Sequence, residues 1–287
     1  MRTRTGQNRG RRRVRGQDGR PTSTLWPVWN AAWWGFVGGF ALILGALVGL
    51  YVRVSVRVIG LIMAFGAGVL ISAVAFELTQ EAYQTGGGTA AALGLVAGSL
   101  VFFTGDWAID NAGGHRRKSP IATHDPLHPS NRDSSSMSPA PAAAGAGGMA
   151  LVLGALRDGV PESAAIGISL LEGGGVGAAM IAAVFLSNMP ESISATTGMR
   201  LSGRSPRYIL GLWSAVCAAS TLASVAGYAL LGDAPDSTVA FIQTFAAGAI
   251  ITMLADTMVP EAVEHAGKLV GLFTMFGFAL AFFLGAT

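Results

Sequence analysis

Eight long apolar stretches follow one another along the chain, and they limit the possible folds more than any other feature. A helix needs about 20 mostly apolar residues to cross a bilayer. The windows that meet this requirement are 31–53, 57–80, 88–108, 146–171, 175–199, 208–231, 237–260 and 266–286. Charged residues make up only 12% of the chain, against roughly 25% in soluble domains. The sequence therefore predicts an all-α polytopic membrane protein and argues against an ordinary soluble enzyme.

Two segments outside these windows have the composition of unstructured chain. Residues 109–145 are rich in Ser, Pro and small residues, which predicts a long flexible loop after the third span. Residues 1–30 carry eight arginines and lack the apolar core of a signal peptide, so we expect a disordered basic tail before a transmembrane domain at 31–287. No folded basic domain follows the tail, and we expect no nucleic-acid partner.

The distribution of Lys and Arg predicts the orientation in the membrane. Ten of these residues fall in the loops on one side, and on the other side the basic tail alone carries them. The two signals conflict, because cytoplasmic loops normally hold the positive charge. The loop residues are spread over four connections, so we assign that side to the cytoplasm. This places both termini outside a plasma or bacterial inner membrane.

An internal repeat links the second and seventh windows. GAGVLISAVAFELTQEA at 66–82 resembles AAGAIITMLADTMVPEA at 246–262. Five crossings separate these spans, so they run in opposite directions through the membrane. The pattern predicts an inverted repeat of spans 1–3 and 6–8 around a central pair, 4 and 5, as in many transporters.

Carboxylates within the central pair point to a cation site. An acidic group inside a span costs about 2.5–3.5 kcal/mol on insertion scales and is usually functional. DGVPES at 158–163 and SNMPES at 187–192 each place a proline directly before a glutamate. The proline frees the carbonyl four residues earlier. Carboxylate, amide, hydroxyl and carbonyl oxygens suit a divalent cation. The candidate ligands are Asp158, Glu162, Ser187, Asn188 and Glu191, with Asp256 in span 7.

A second pair of candidate ligands lies near the end of span 7. Glu261 and His265 are four residues apart, on one helix face, and could pass a metal to or from the pathway. A solvated helix end with no metal is the alternative.

An intramembrane aspartyl protease is a weaker alternative for the chain as a whole. Gly105-Asp106 resembles part of a Gly-x-Gly-Asp element, but position 103 is Phe and no Tyr-Asp pair occurs in another span. The chain also lacks a phosphate-binding Gly-rich loop, so ATP use is not indicated.

The paired Pro-Glu motifs resemble those of the ZIP (Zrt/Irt-like) divalent metal transporters, in particular the bacterial GufA/ZupT-like branch. MVPEAVEHAG at 258–267 and FFTGDWAID at 102–110 resemble the ends of that family's seventh and third helices. The resemblance covers about 31–287. It implies eight transmembrane helices, a long cytoplasmic loop after helix 3, and outward termini. It also implies a central site for one or two metals, a transported ion rather than a permanent cofactor, no enzymatic activity, and a possible homodimer.

The motifs depart from the family pattern at the metal ligands. Asp158 stands where the family usually has His, and Gly159 stands where it usually has Asn. An all-oxygen site shifts the expected cargo from zinc toward manganese or ferrous iron. Arg157 adds a fixed positive charge beside the site. A degenerate member that senses metal or acts as a scaffold without transporting it is therefore a second interpretation.

Overall fold

The computed structural model describes residues 25–111, 156, 159–172 and 178–285. Over these residues the chain consists of helices and short turns, with no strand. Most of the basic tail and most of the long loop after span 3 lie outside the described residues. So do two residues of the predicted site region, Arg157 and Asp158.

The helices follow the predicted apolar windows closely. They are α1 (Leu25–Tyr51), α2 (Val56–Gly86, π-helical over Val74–Gln80), α3 (Gly88–Asn111), α4 (159–169), α5 (Ala178–Leu201), α6 (Pro206–Leu231), α7 (Asp236–Met253, the π-helical Leu254–Met258 and Val259–Ala266) and α8 (Val270–Gly285). The first helix thus begins at Leu25, inside the segment predicted as tail.

The helix boundaries have simple local causes. The hydroxyl of Ser55 accepts a hydrogen bond from the Val58 N–H at the start of α2, and Ser205 does the same for Tyr208 at the start of α6. Gly87 and Gly267 have φ values of 86° and 63°, a region that favours glycine, and they end α2 and α7. Both ends of α2, the start of α6 and the end of α7 therefore fall at residues suited to a cap or a tight turn.

Five stretches are long and apolar enough to cross a membrane. They are Val28–Tyr51, Val56–Gly86, Gly88–Ala108, Pro206–Leu231 and Asp236–Gly285. The last contains the predicted seventh and eighth windows, separated by the 3-10 turn Gly267–Leu269. The more polar α5 is not among these stretches. The prediction of an all-helical protein with several helices apolar enough to span a membrane is confirmed, and the count of eight spans stays a prediction.

The distribution of side chains is the reverse of that in a soluble protein. Large apolar side chains face outward, including Leu222, Leu230 and Phe283. Polar side chains are buried, and among them Ser192, Ser224 and Thr244 have no exposed surface. A lipid environment solvates the first group and excludes the second, so this arrangement fits a bilayer.

The two stretches that resemble each other in sequence also share backbone form and packing. Their π-helical segments begin at Val74 and Leu254, which are 180 positions apart. α2 packs against α8, and α7 packs against α3. Glycines at corresponding positions make both contacts close, because an added Cβ would collide with a backbone carbonyl of the neighbouring helix. The pairs are Gly68 with Thr274, Gly248 with Leu95, Gly98 with Phe245, and Gly277 with Phe65.

Replacing one of these glycines should destabilise the bundle. Gly68→Ala forces α2 away from the Thr274 carbonyl, and overpacking of this kind costs about 1–3 kcal/mol. Gly271→Ala is the matched control, since nothing lies within 4 Å of an added Cβ there. The measurement is the temperature at which the single cysteine, buried Cys217, reacts with a maleimide dye in detergent. Equal temperatures for the two variants would contradict the close contact.

Candidate functional site

The predicted site residues on α4 and α5 meet inside the bundle. Glu162 is 2% exposed, and the Ser187 hydroxyl lies 3.4 Å from each oxygen of its carboxylate. The same hydroxyl lies 3.0 Å from the Val184 carbonyl of its own helix. A hydroxyl has one proton to donate, so the carboxylate and the carbonyl compete for it. The two Pro-Glu motifs therefore come into direct contact through Glu162 and Ser187, which are 25 residues apart.

Asn188 is oriented by α1. Its Nδ2 donates to the Gly38 carbonyl at 3.1 Å, and the side chain is buried. Gly38 lies where α1 approaches both central helices, because a Cβ there would be 3.2 Å from Ile166 on α4 and from Val184 on α5. The hydrogen bond fixes which end of the amide is the donor. The Oδ1 atom is then the end available as an acceptor or ligand.

The second glutamate of the motif pair, Glu191, is partly buried one turn beyond Ser187. α5 continues as a helix through Pro190, which has no N–H to donate to the Leu186 carbonyl. α2 approaches this carbonyl closely, since a Cβ at Gly66 would lie 2.9 Å from the Leu186 oxygen. The proline thus leaves a backbone oxygen free of its helical partner at the contact between α2 and α5.

The described part of α4 supplies one carboxylate to the site. Gly159 is buried, and an added Cβ would lie 3.3 Å from the Ser220 hydroxyl of α6. Glycine at this position therefore serves helix packing and offers no side-chain ligand. The predicted ligand Asp158 lies outside the described residues.

The remaining predicted ligands lie on α7. Glu261 reaches α5, where its Oε1 accepts a hydrogen bond from Ser194 at 3.0 Å. One turn on, both ring nitrogens of His265 are buried and find no hydrogen-bond partner in the part of the chain that the structure describes. Asp256 is partly buried in the π-helical segment of the same helix. The structure thus connects Glu261 with α5 but not directly with Glu162.

Three carboxylates from three different helices contact α5 at regular intervals. The negative charge of Glu77 on α2 is stabilised by the Met180 backbone N–H. Glu162 meets Ser187, and Glu261 meets Ser194. These three positions on α5 are seven residues apart, which is about 10 Å along a helix. Because seven residues are close to two full turns, Ser187 and Ser194 share one face of α5.

Sequence reasoning missed Ser194 and the contact of Glu77 with α5. The signal for Ser194 was present, since it repeats the position of Ser187 two turns later. No pattern in the sequence pairs Glu77 with a backbone N–H that lies beyond the long loop.

The described residues contain no group of three or more His, Cys, Asp or Glu side chains arranged to hold a metal ion. A cation held by Glu162 and Glu191 would therefore need neutral oxygens as well, from Ser187, Asn188, the backbone or water. Hard cations accept such ligands readily.

Comparison with known proteins adds no assignment. No protein-family profile matches the chain. No curated protein matches it either. The resemblance to ZIP transporters stays a prediction based on the motifs.

A substitution at Asn188 tests the hydrogen bond to α1. Asn188→Asp places carboxylate oxygens against the Gly38 carbonyl, and we expect a loss of about 1–3 kcal/mol in stability. Thr197→Val is the control, since it removes only a hydrogen bond to Ile193 within the same helix. Thermal unfolding in detergent without divalent metal measures both. An Asn188→Asp variant as stable as the control would mean that the amide does not fasten α1 to α5.

Proposed function

We propose that the chain transports divalent metal cations across a membrane through a site between α4 and α5. The observation that carries this proposal is the buried contact between Glu162 and Ser187, inside a bundle whose outer surface is apolar. A carboxylate in such a place is costly unless it is compensated. A transient divalent ion is one compensation that a transporter would use. Asp158, Asn188 and Glu191 complete the proposed site, and Asp256 on α7 is a further candidate ligand.

The chemistry of the donors favours hard cations. Every proposed ligand is an oxygen, which suits manganese and ferrous iron, and zinc also binds carboxylates. Glu162 and Glu191 together balance the charge of one divalent ion, Asp158 adds a further carboxylate, and serine and asparagine supply neutral oxygens. We therefore propose manganese, iron or zinc as cargo, with one ion bound at a time.

The proposed mechanism is alternating access through an inverted repeat with eight spans. The matched π-helical segments and the matched glycine contacts of α2 with α8 and of α7 with α3 support the repeat. In such transporters one bundle rocks against another around a fixed central site. We propose that α4 and α5 move against the repeat helices, driven by the metal gradient or by a coupled ion, with the termini outside the cell.

Removing either central carboxylate should abolish transport. We expect Glu162→Gln and Glu191→Gln each to reduce uptake to background, because each loses a charged ligand with little change in shape. The measurement is manganese uptake into liposomes that contain a fluorescent metal indicator. Asp236→Asn, at the exposed start of α7, is the control and should transport normally. Normal flux in both glutamine variants would refute the site.

Protons should compete with the metal. Carboxylates bind a metal only when they are deprotonated, so uptake at subsaturating manganese should fall as pH is lowered. Raising the manganese concentration should restore the rate at low pH. Initial rates measured over a grid of pH and manganese concentration test both statements. A rate at low pH that excess metal cannot restore would show that protonation acts elsewhere.

A metal sensor or scaffold without transport activity is the second candidate function. Gly159 and the absence of a three-residue metal group in the described part of the chain favour it. Metal binding by the purified protein together with zero flux in liposomes would support this candidate over transport.

A further inference from the structure

Polar groups gather around Glu77 of α2, which lies next to Gln243 of α7 and also next to Met180 of α5. α2 residues 77–86 run alongside the first turns of α7, since Gly86 is in close contact with Ala240, and Gln243 with Glu77. Glu77 belongs to the π-helical segment of α2, and Glu81 follows one turn later. Glu81 is near enough to Glu77 to repel it electrostatically. No ion pair neutralises either carboxylate among the described residues.

The Glu77 carboxylate is held in place at the start of α5. The backbone N–H of Met180, near the beginning of the described part of that helix, stabilises its negative charge. A carboxylate has about four lone-pair sites, so this contact leaves others open. On another side an added Cβ at Gly285 would lie 3.7 Å from Oε1, and the actual glycine has no side chain to fill that space.

Gln243 gives independent evidence for a ligand at this place. Its side chain is completely buried, and its Nε2 lies 3.4 Å from the Glu77 carbonyl oxygen. That contact requires the N–H end of the amide, so the Oε1 atom is the other end. Oε1 is buried and has no hydrogen-bond partner among the described residues, and neither has the hydroxyl of Thr79 on α2. Leaving a buried acceptor unsatisfied is unfavourable, because the group has lost its hydrogen bonds to water. A bound cation would remove that cost.

We propose that Glu77, Glu81 and the Gln243 Oε1 form a second site for divalent cations, distinct from the central one. It lies beside Met180, about 10 Å along α5 from Ser187. Glu77 and Gln243 are its principal ligands, with Glu81 and Thr79 beside them. As an element of transport the inference rests on the proposed function, where this site would be one mouth of the pathway. As a binding site it can be tested without any transport.

Manganese binding to a protein with a disabled central site tests the inference directly. In the Glu162→Gln, Glu191→Gln double variant in detergent, loss of the free manganese EPR signal should report one bound ion. Adding Glu77→Gln should weaken this binding at least about tenfold, the effect of losing one charged ligand. Gln243→Leu should also weaken it. Because this variant also loses the Nε2 contact with the Glu77 carbonyl, thermal unfolding in detergent should show that it still folds. Asp236→Asn should leave the binding unchanged.

The outcomes separate the two proposals. Manganese binding that survives both Glu77→Gln and Gln243→Leu would overturn the second site, whatever the transport assays show. Zero flux in the unmodified protein, with binding that still depends on Glu77, would defeat transport and leave the second site intact. In a transporting protein, Glu77→Gln should raise the half-saturating manganese concentration about tenfold at an unchanged maximal rate. A lower maximal rate at unchanged half-saturation would show instead that Glu77 only anchors α5.

Discussion

The bundle is organised around a carboxylate that the membrane would otherwise exclude. Glu162 is 2% exposed, in a chain whose outer surface carries Leu, Phe and Trp. Hydrocarbon offers this group no hydrogen bonds, so the protein must supply polar partners from its own helices. The contact with Ser187 does so, and it also fixes how α4 meets α5. Asn188 then connects this pair to α1 through Gly38.

Small residues make such an interior possible. Between membrane helices the hydrophobic effect contributes little, and close van der Waals packing takes its place. α1 packs closely against two neighbouring helices. Its Gly35 and Gly39 lie against α6, and its Gly45 and Gly49 lie against α5. Close approach brings backbone carbonyls such as Leu186 within reach of neighbouring helices. Packing and polar chemistry therefore depend on the same glycines.

The sequence predicts the fold class well because its strongest signal, long apolar runs, follows directly from bilayer thickness. The windows at 31–53 and 208–231 reappear as α1 and α6 with small shifts at the ends. The sequence also predicts that Ser187 and Glu191 lie on one face of a helix, because they are four residues apart. Contacts between helices that are distant in the sequence could not be predicted. The partner of Glu261 is Ser194, 67 residues away, and only the packing of α7 on α5 reveals it.

Both halves of the internal repeat contact α5 through a carboxylate. Glu81 and Glu261 occupy equivalent positions 180 residues apart, and the contact of Gly60 with Ala266 mirrors that of Ala240 with Gly86. An inverted repeat places such equivalents toward opposite membrane faces. α5 joins the two ends, because its first turn contacts Glu77 and its later turns contact Glu261. In the proposed transporter, a movement of α5 that favours one end would also disturb the other, which is the coupling that alternating access requires.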